Sequence, residues 1–164
     1  LPDVYGGFGT SLRFYGVDFS IGFTYQLGGQ VLDQGYRFYM NSPAGTSTGN
    51  NYHHDLLNSW TPENSGSNIP RFAYNDSNQA AVSDRFLTSA SYLNIQNITL
   101  GYTLPKRITR KFLVENLRIY LACDNVWYWS KRQGLDPRQS INGITNPYYY
   151  APIRTFSGGV TVTF

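Results

Sequence analysis

Between Val17 and Leu27 the apolar residues Val17, Phe19, Ile21, Phe23, Tyr25 and Leu27 fall on every second position, six in eleven residues. The alternate positions carry Asp18, Ser20, Gly22, Thr24 and Gln26. Successive side chains of a strand point to opposite faces, so this stretch reads as a strand with one apolar and one polar face. It is also long. Ordinary strands run about 5–6 residues, whereas a membrane-spanning strand takes about 9–11. Two architectures use such a strand. A soluble β-sandwich buries the apolar face against a second sheet, and a transmembrane β-barrel turns it to lipid while the polar face lines a lumen.

The same period recurs along the chain. Residues 5–15 alternate Phe8, Leu12 and Phe14 with Gly9, Ser11 and Arg13, and Gly16 leaves room for only a very short turn before the strand at 17–28. A third strand is predicted at 86–103. There Leu93 and Ile95 share one phase while Ile98, Leu100 and Tyr102 share the other. A one-residue slip inside an alternating strand predicts a β-bulge, here near Gln96-Asn97. The fourth strand, 117–129, alternates Leu117, Ile119, Leu121 and Cys123 with Arg118, Tyr120, Ala122 and Asp124. The fifth, 153–164, keeps Phe156, Gly158, Val160, Val162 and Phe164 in one phase.

Residues 29–85 are rich in Asn, Ser, Gly and Pro and show no sustained strand pattern. Within them Tyr52–Trp60 predicts a short helix closed by Thr61-Pro62, because proline disfavours helical geometry in the residue before it. Residues 130–152 form a second long connection. The connections therefore run very short, very long, shortish and long, the alternation of outer-membrane barrels with tight periplasmic turns and long outer loops. This places Gly16, the 104–116 connector and Phe164 on the periplasmic side, and loops 29–85 and 130–152 outside the cell. Aromatics gather near strand ends, Tyr15 and Tyr102 at one level and Trp127, Trp129 and Tyr148-Tyr149-Tyr150 at the other, as in the two girdles of a barrel.

Composition bounds the alternatives. Charged residues are 14% of the chain, against about 25% in soluble domains. No apolar run approaches the ~18 residues of a helical span, which excludes a helical membrane protein but not a barrel. The net charge of +3 is modest and its basic residues are scattered, which gives no case for nucleic acid. The single cysteine, Cys123, sits in the apolar phase and reads as a small hydrophobe. The chain starts Leu1-Pro2-Asp3 without an initiator Met or a signal peptide, as expected of a piece of something longer or of a processed chain. Five strands are too few for a complete single-chain barrel, which has at least eight. The fold expected is therefore all-β, an antiparallel transmembrane β-barrel of which residues 1–164 form the C-terminal portion.

One ordered series of residues carries a resemblance. It runs Asn58-Ser59-Trp60-Thr61-Pro62-Glu63-Asn64, Ile69-Pro70-Arg71, Ser83-Asp84-Arg85-Phe86-Leu87 and Ser91 through Pro105. It continues with Leu117-Arg118-Ile119-Tyr120, Asp124-Asn125, Gly134-Leu135-Asp136-Pro137 and Arg154 through Gly159. The series closely resembles the C-terminal end of the SusC/RagA-like TonB-dependent outer-membrane transporters of Bacteroidetes. The resemblance implies a barrel of roughly 22 strands with a plugged lumen. It implies import of oligosaccharides, peptides or other nutrients, energy from a TonB complex, and a SusD-like surface lipoprotein as cap. It implies no cofactor, no metal and no enzymatic activity. Plug, TonB box and energy coupling are not legible in these residues.

Candidate sites follow from phase and position. Asp18, Arg118, Tyr120 and Asp124 face the lumen, where they line a substrate path or, more in keeping with a filled lumen, hold the plug. Tyr52, Trp60, Phe72 and Tyr74 are loop aromatics that pack within their loop, stack on sugar rings or meet the lipoprotein. Phe156, Gly158, Val160, Val162 and Phe164 form a lipid-facing last strand, and the resemblance implies an assembly signal in the same residues. His53-His54 with Asp55 is the one histidine cluster. If the segment is helical, adjacent side chains do not share a face, so a solvated loop is expected rather than a metal site. Gly6-Gly7-x-Gly9 opens a strand, not a helix, and so fails as a phosphate loop. The alternative from another class is a secreted β-sandwich carbohydrate-binding module with an aromatic sugar platform.

Overall fold

A computed structural model of the chain describes residues 1–42, 49, 51–76, 78–132, 134–139, 143–146, 148 and 150–164. The first two strands, β1 (Val4–Phe14) and β2 (Val17–Leu27), form a hairpin about Tyr15-Gly16. Both turn residues have positive φ, 46° and 85°, the backbone twist that two-residue hairpin turns demand. Next come two short strands, β3 (Gln30–Leu32) and β4 (Leu87–Ser89), which pair with each other in a separate small sheet. The long strands resume with β5 (Tyr92–Thr103), β6 (Asn116–Ser130) and β7 (Thr155–Thr163). The large sheet has the order β1-β2-β5-β6-β7, antiparallel throughout, so each long strand pairs with the next long strand in the chain. At about 3.4 Å per residue, the eleven residues of β2 rise ~37 Å, enough at the usual barrel tilt to cross an apolar band ~25 Å tall.

The register keeps the apolar set together. Phe19 lies opposite Leu12 and Leu100, Leu100 opposite Leu121, and Ile98 opposite Cys123, which in turn faces Phe156. The expected bulge is present. Between Gly22 and Phe23 of β2 there is no extra residue, but the partners on β5 are Asn97 and Ile95, with Gln96 inserted. β6 goes further, because Asn97 and Ile95 face Asp124 and Trp127, with Asn125 and Val126 between them. Asn125 takes the left-handed conformation that the bulge needs, φ 50°. Insertions of none, one and two residues thus let Phe23, Ile95 and Trp127 stay level on one face.

This apolar face is uncovered. Phe8, Leu12, Leu100, Leu121, Phe156 and Val160 are 49 to 77% exposed. A sandwich requires a second sheet across that face, and the other sheet among the described residues is the short β3–β4 pair. Among the described residues no helix is long and apolar enough to cross a membrane, which leaves crossing by strands untouched.

The buried core lies instead in the long connections, where Val31, Met40, Phe86, Ala90 and Leu135 are sequestered. Here the structure adds one element and corrects two expectations. Residues 29–85, without a sustained strand pattern, also hold β3 and a helix, α1 (Gln34–Tyr39), capped by the Asp33 carboxylate, which accepts from the Tyr36 N–H at 2.9 Å. Three-residue strands are too short to show a period. The third strand does not start at 86: Phe86 ends a 3-10 turn, β4 belongs to the small sheet, and pairing in the large sheet begins only at Tyr92. Finally, the predicted Tyr52–Trp60 helix is a 3-10 helix limited to His54–Asn58, with His53 extended before it.

The two long connections are joined. The Leu32 N–H donates to the Gly143 carbonyl at 2.7 Å, and the Thr145 N–H to the Leu32 carbonyl at 3.2 Å. At the opposite end of the sheet lie the Tyr15-Gly16 turn and the basic connector, which contains α2 (Lys106–Thr109). The end of β7 is there too, with Thr163 opposite Asn116. Tyr15, Tyr102 and Phe164 are exposed at that end and Trp127 and Trp129 toward the other. Of the tyrosine run, Tyr148 packs edge-on against Phe38 of α1 at 6.2 Å, Tyr150 is exposed, and Tyr149 lies outside the described residues.

Gly16 supports a direct test. Its φ is strained for any other residue, and an added Cβ would sit 2.6 Å from the Thr103 carbonyl oxygen. Gly16→Ala in the full-length parent protein should cost at least about 1–2 kcal/mol in urea unfolding from lipid vesicles. An unchanged unfolding midpoint would refute this turn geometry.

Candidate functional site

On the polar face of the large sheet, Asp18 of β2 and Arg118 of β6 reach toward each other across β5. Arg118 Nε donates to Asp18 Oδ1 at 3.0 Å, and its second guanidinium nitrogen pairs with Oδ2. The bridge passes directly over Gly101, the β5 residue opposite Asp18. A Cβ on Gly101 would lie 2.6 Å from the Arg118 guanidinium, so the ion pair exists because the strand between carries no side chain. The guanidinium also stands 5.2 Å from the centre of the Tyr120 ring, and that ring lies over Gly159 of β7. A single polar cluster therefore bolts four of the five strands together.

The expected lumen residues are thus only partly united. Asp18, Arg118 and Tyr120 form one cluster. Asp124 shares their face by register, opposite Asn97 and Thr155, but is exposed near the bulge, away from the ion pair. Among the loop aromatics, Tyr52 and Phe72 meet edge to face at 5.7 Å. Trp60 and Tyr74 present 38% and 70% of their surface. In the last strand Phe156, Val160 and Val162 point outward with the apolar face, Gly158 gives way beneath Leu121, and Phe164 lies one residue past β7.

Phase reasoning missed the polar groups that assemble the loops. Arg132 Nε donates to Asp33 at 2.9 Å, and its guanidinium lies 3.5 Å from the Tyr36 ring centre. The Tyr36 hydroxyl donates to Asp55 at 2.9 Å. Burial, helped by this hydrogen bond, raises the Tyr36 phenol above its ordinary value, so it stays a donor at any neutral pH. In the second loop the wholly buried Asp136 accepts from Arg138 Nε at 2.8 Å and from a terminal guanidinium nitrogen at 2.7 Å. This pairing raises the Arg138 guanidinium further and keeps it charged beneath the loop. Arg138 in turn lies over Tyr128 of β6, 5.2 Å from its ring centre. The one available signal was Asp136-Pro137, a turn-forming pair followed by an arginine.

The geometry is that of an amphipathic antiparallel sheet with its polar residues cross-braced on one side. Known proteins resemble the chain along nearly its whole length. The chain is 26% identical to TonB-dependent receptor P3 of Formosa agariphila, over 99% of this chain and 16% of the relative. It is 28% identical to TonB-dependent receptor P26 of the same organism, over 100% and 17%. To TonB-dependent receptor SusC of Bacteroides thetaiotaomicron it is 28% identical, over 99% and 15%. It superposes on the solved RagAB peptide importer in the open-open state with a TM-score of 0.79 at 24% identity, covering 100% of this chain and 17% of that one. A second solved structure, the RagAB peptide transporter, matches at 0.79 and 25%, covering 98% and 17%. No protein-family model matches the chain. Along nearly its whole length the chain is thus similar to SusC/RagA-like TonB-dependent receptors. It spans 15 to 17% of the length of the curated relatives it matches.

The ion pair over Gly101 predicts a specific non-additivity. Gly101→Val should lower the urea unfolding midpoint of the full-length protein, because the new side chain takes the space of the bridge. Adding Asp18→Ala should recover part of that loss by clearing the space. Strictly additive losses would show that the bridge does not cross Gly101.

Proposed function

We propose that the chain is the C-terminal portion of the barrel of a TonB-dependent importer that takes up oligosaccharides or peptides through the outer membrane. One observation carries this reading: a five-stranded antiparallel sheet with an uncovered apolar face and a braced polar face aligns along its whole length with the RagAB importer. The same reading assigns the sheet to a plugged barrel of roughly 22 strands. The loop-bearing end, residues 29–85 and 130–152, faces the outside, and the Tyr15-Gly16 turn, the 104–116 connector and Phe164 face the periplasm. Asp18, Arg118 and Tyr120 then brace the wall against the plug, and Asp124 borders the lumen. Phe156, Gly158, Val160, Val162 and Phe164 face lipid and serve as the assembly signal.

An open strand edge has no place in hydrocarbon, where each unmet backbone group costs several kcal/mol. In this reading the outer edges of β1 and β7 pair with other strands of the same barrel. Energy reaches the barrel from a TonB complex acting on parts beyond these residues. A SusD-like surface lipoprotein caps the loops, supported by the two-component character of the RagAB importer. The exposed Trp60 and Tyr74 are its contacts, while Tyr52 and Phe72, occupied with each other, shape the loop that presents them.

The test is co-purification from outer membranes. Replacing Trp60 and Tyr74 by alanine in the full-length receptor should cut recovery of the lipoprotein at least several-fold and slow growth on the imported nutrient. The receptor itself should remain at its normal level in the outer membrane. Recovery of the receptor from the soluble fraction would sink the barrel reading. Undiminished recovery of the lipoprotein would sink the contact assignment.

A further inference from the structure

We propose that His53, His54 and Asp55 bind a divalent transition-metal ion, with Tyr36 orienting the carboxylate. The segment is not an α-helix. His53 is extended, φ −70° and ψ 139°, and His54 opens the 3-10 helix. The change of backbone conformation between them brings the adjacent rings to one side, with centroids 4.6 Å apart. Asp55 completes the set: His53 Nδ1 lies 3.4 Å from Oδ2 and His54 Nε2 lies 3.0 Å from Oδ1. The three groups offer ligand atoms that all lie within 4.8 Å of one another. A tetrahedral zinc ion with bonds of about 2.0–2.2 Å spaces its ligand atoms about 3.3–3.5 Å apart, so small side-chain rotations close these three onto one ion.

The surroundings suit such a site. The Asp55 backbone N–H donates to His53 Nδ1 at 3.2 Å and holds that nitrogen beside the carboxylate; an ion bound at Nδ1 takes over the lone pair from this hydrogen bond. The His53 backbone is tied to α1 through the Tyr39 carbonyl at 2.9 Å. The Tyr36 hydroxyl donates to Asp55 Oδ2 at 2.9 Å, and the Tyr36 ring packs edge-on against His53 at 4.8 Å. Partners that orient ligating groups in this way commonly change metal affinity 10- to 100-fold. The His54 side chain is 79% exposed and leaves an entry path, with room for water as the fourth ligand. Two imidazoles and a carboxylate select zinc, copper or nickel over calcium or magnesium. The inference is independent of the transport reading and concerns a loop site on the same side of the sheet as Trp60.

The experiment is zinc titration, by calorimetry, of the EDTA-stripped full-length receptor in detergent micelles, comparing wild type with His54→Gln, the His53→Ala/His54→Ala double variant and Tyr36→Phe. His54→Gln alters a mostly exposed side chain, so loss of binding there reads out the ligand and not the fold. Wild type should bind one more equivalent of zinc than the double variant. Affinity should fall at least 10-fold in His54→Gln and 10- to 100-fold in Tyr36→Phe. Cobalt in place of zinc should give the visible bands of a tetrahedral nitrogen–oxygen site, absent from the double variant. Equal zinc stoichiometry and affinity in wild type and His54→Gln would overturn the proposal.

Discussion

A slip of one residue in β5 would turn Leu93 and Ile95 to the polar side and carry Asn94 to the apolar one. Register is therefore what the rest of the structure depends on, because the side-chain period of a strand is two and a half-period error inverts a face. The bulges spend that tolerance in a controlled way. One extra residue in β5 flips its parity once, and two extra residues in β6 restore it. The ion pair between Asp18 and Arg118 guards the same alignment on the other face. It closes only when Asp18 lies opposite Gly101 and Gly101 opposite Tyr120, two residues from Arg118, so slippage of β5 by one position would bring Leu100 or Tyr102 under the bridge. Apolar alignment and polar bracing thus specify one register from opposite sides.

The loop end obeys different physics. It buries its own core and joins its two long segments by backbone hydrogen bonds between Leu32 and residues 143–145. A line of contacts runs from Arg132 through Tyr36 to Asp55, linking the second long connection to the first. The sheet supplies little shielding on either face, whereas the loops are packed nearly as a small domain would be. In the proposed barrel this is the expected division: lipid covers the apolar face of the wall, and the loops, which bury residues of their own, stand in water.

Alternation made the five long strands and the β5 bulge legible, because Leu93 and Ile95 fall out of phase with Ile98, Leu100 and Tyr102. It could not reveal the β6 bulge. Two inserted residues leave Leu117, Ile119, Leu121, Cys123, Trp127 and Trp129 all on the same parity, so the pattern reads as unbroken. The β3–β4 pair is hidden for another reason, since three residues carry too little period to count. On the polar face, phase identified Asp18, Arg118 and Tyr120 but not their union, which hinges on Gly101 of the strand between them. The histidine segment departs from a regular α-helix, which the sequence could not reveal: one extended residue at His53 changes which side chains converge.

The β6 bulge also decides where the wall ends. Pairing between β6 and β7 stops at Asp124 opposite Thr155, while β6 continues to Ser130 in company with β5 alone. Asn125 turns its amide to the Ile153 carbonyl at 3.3 Å and holds the incoming segment off the strand. Beside it opens a cleft of about 560 Å³ lined by Asn125–Ser130, Gly134, Arg138, Pro152 and Arg154. Among the described residues, the backbone from Val126 to Ser130 has no strand partner on its β7 side, a condition hydrocarbon does not permit. In the proposed barrel that notch is a waterline: the acyl chains end below Asn125.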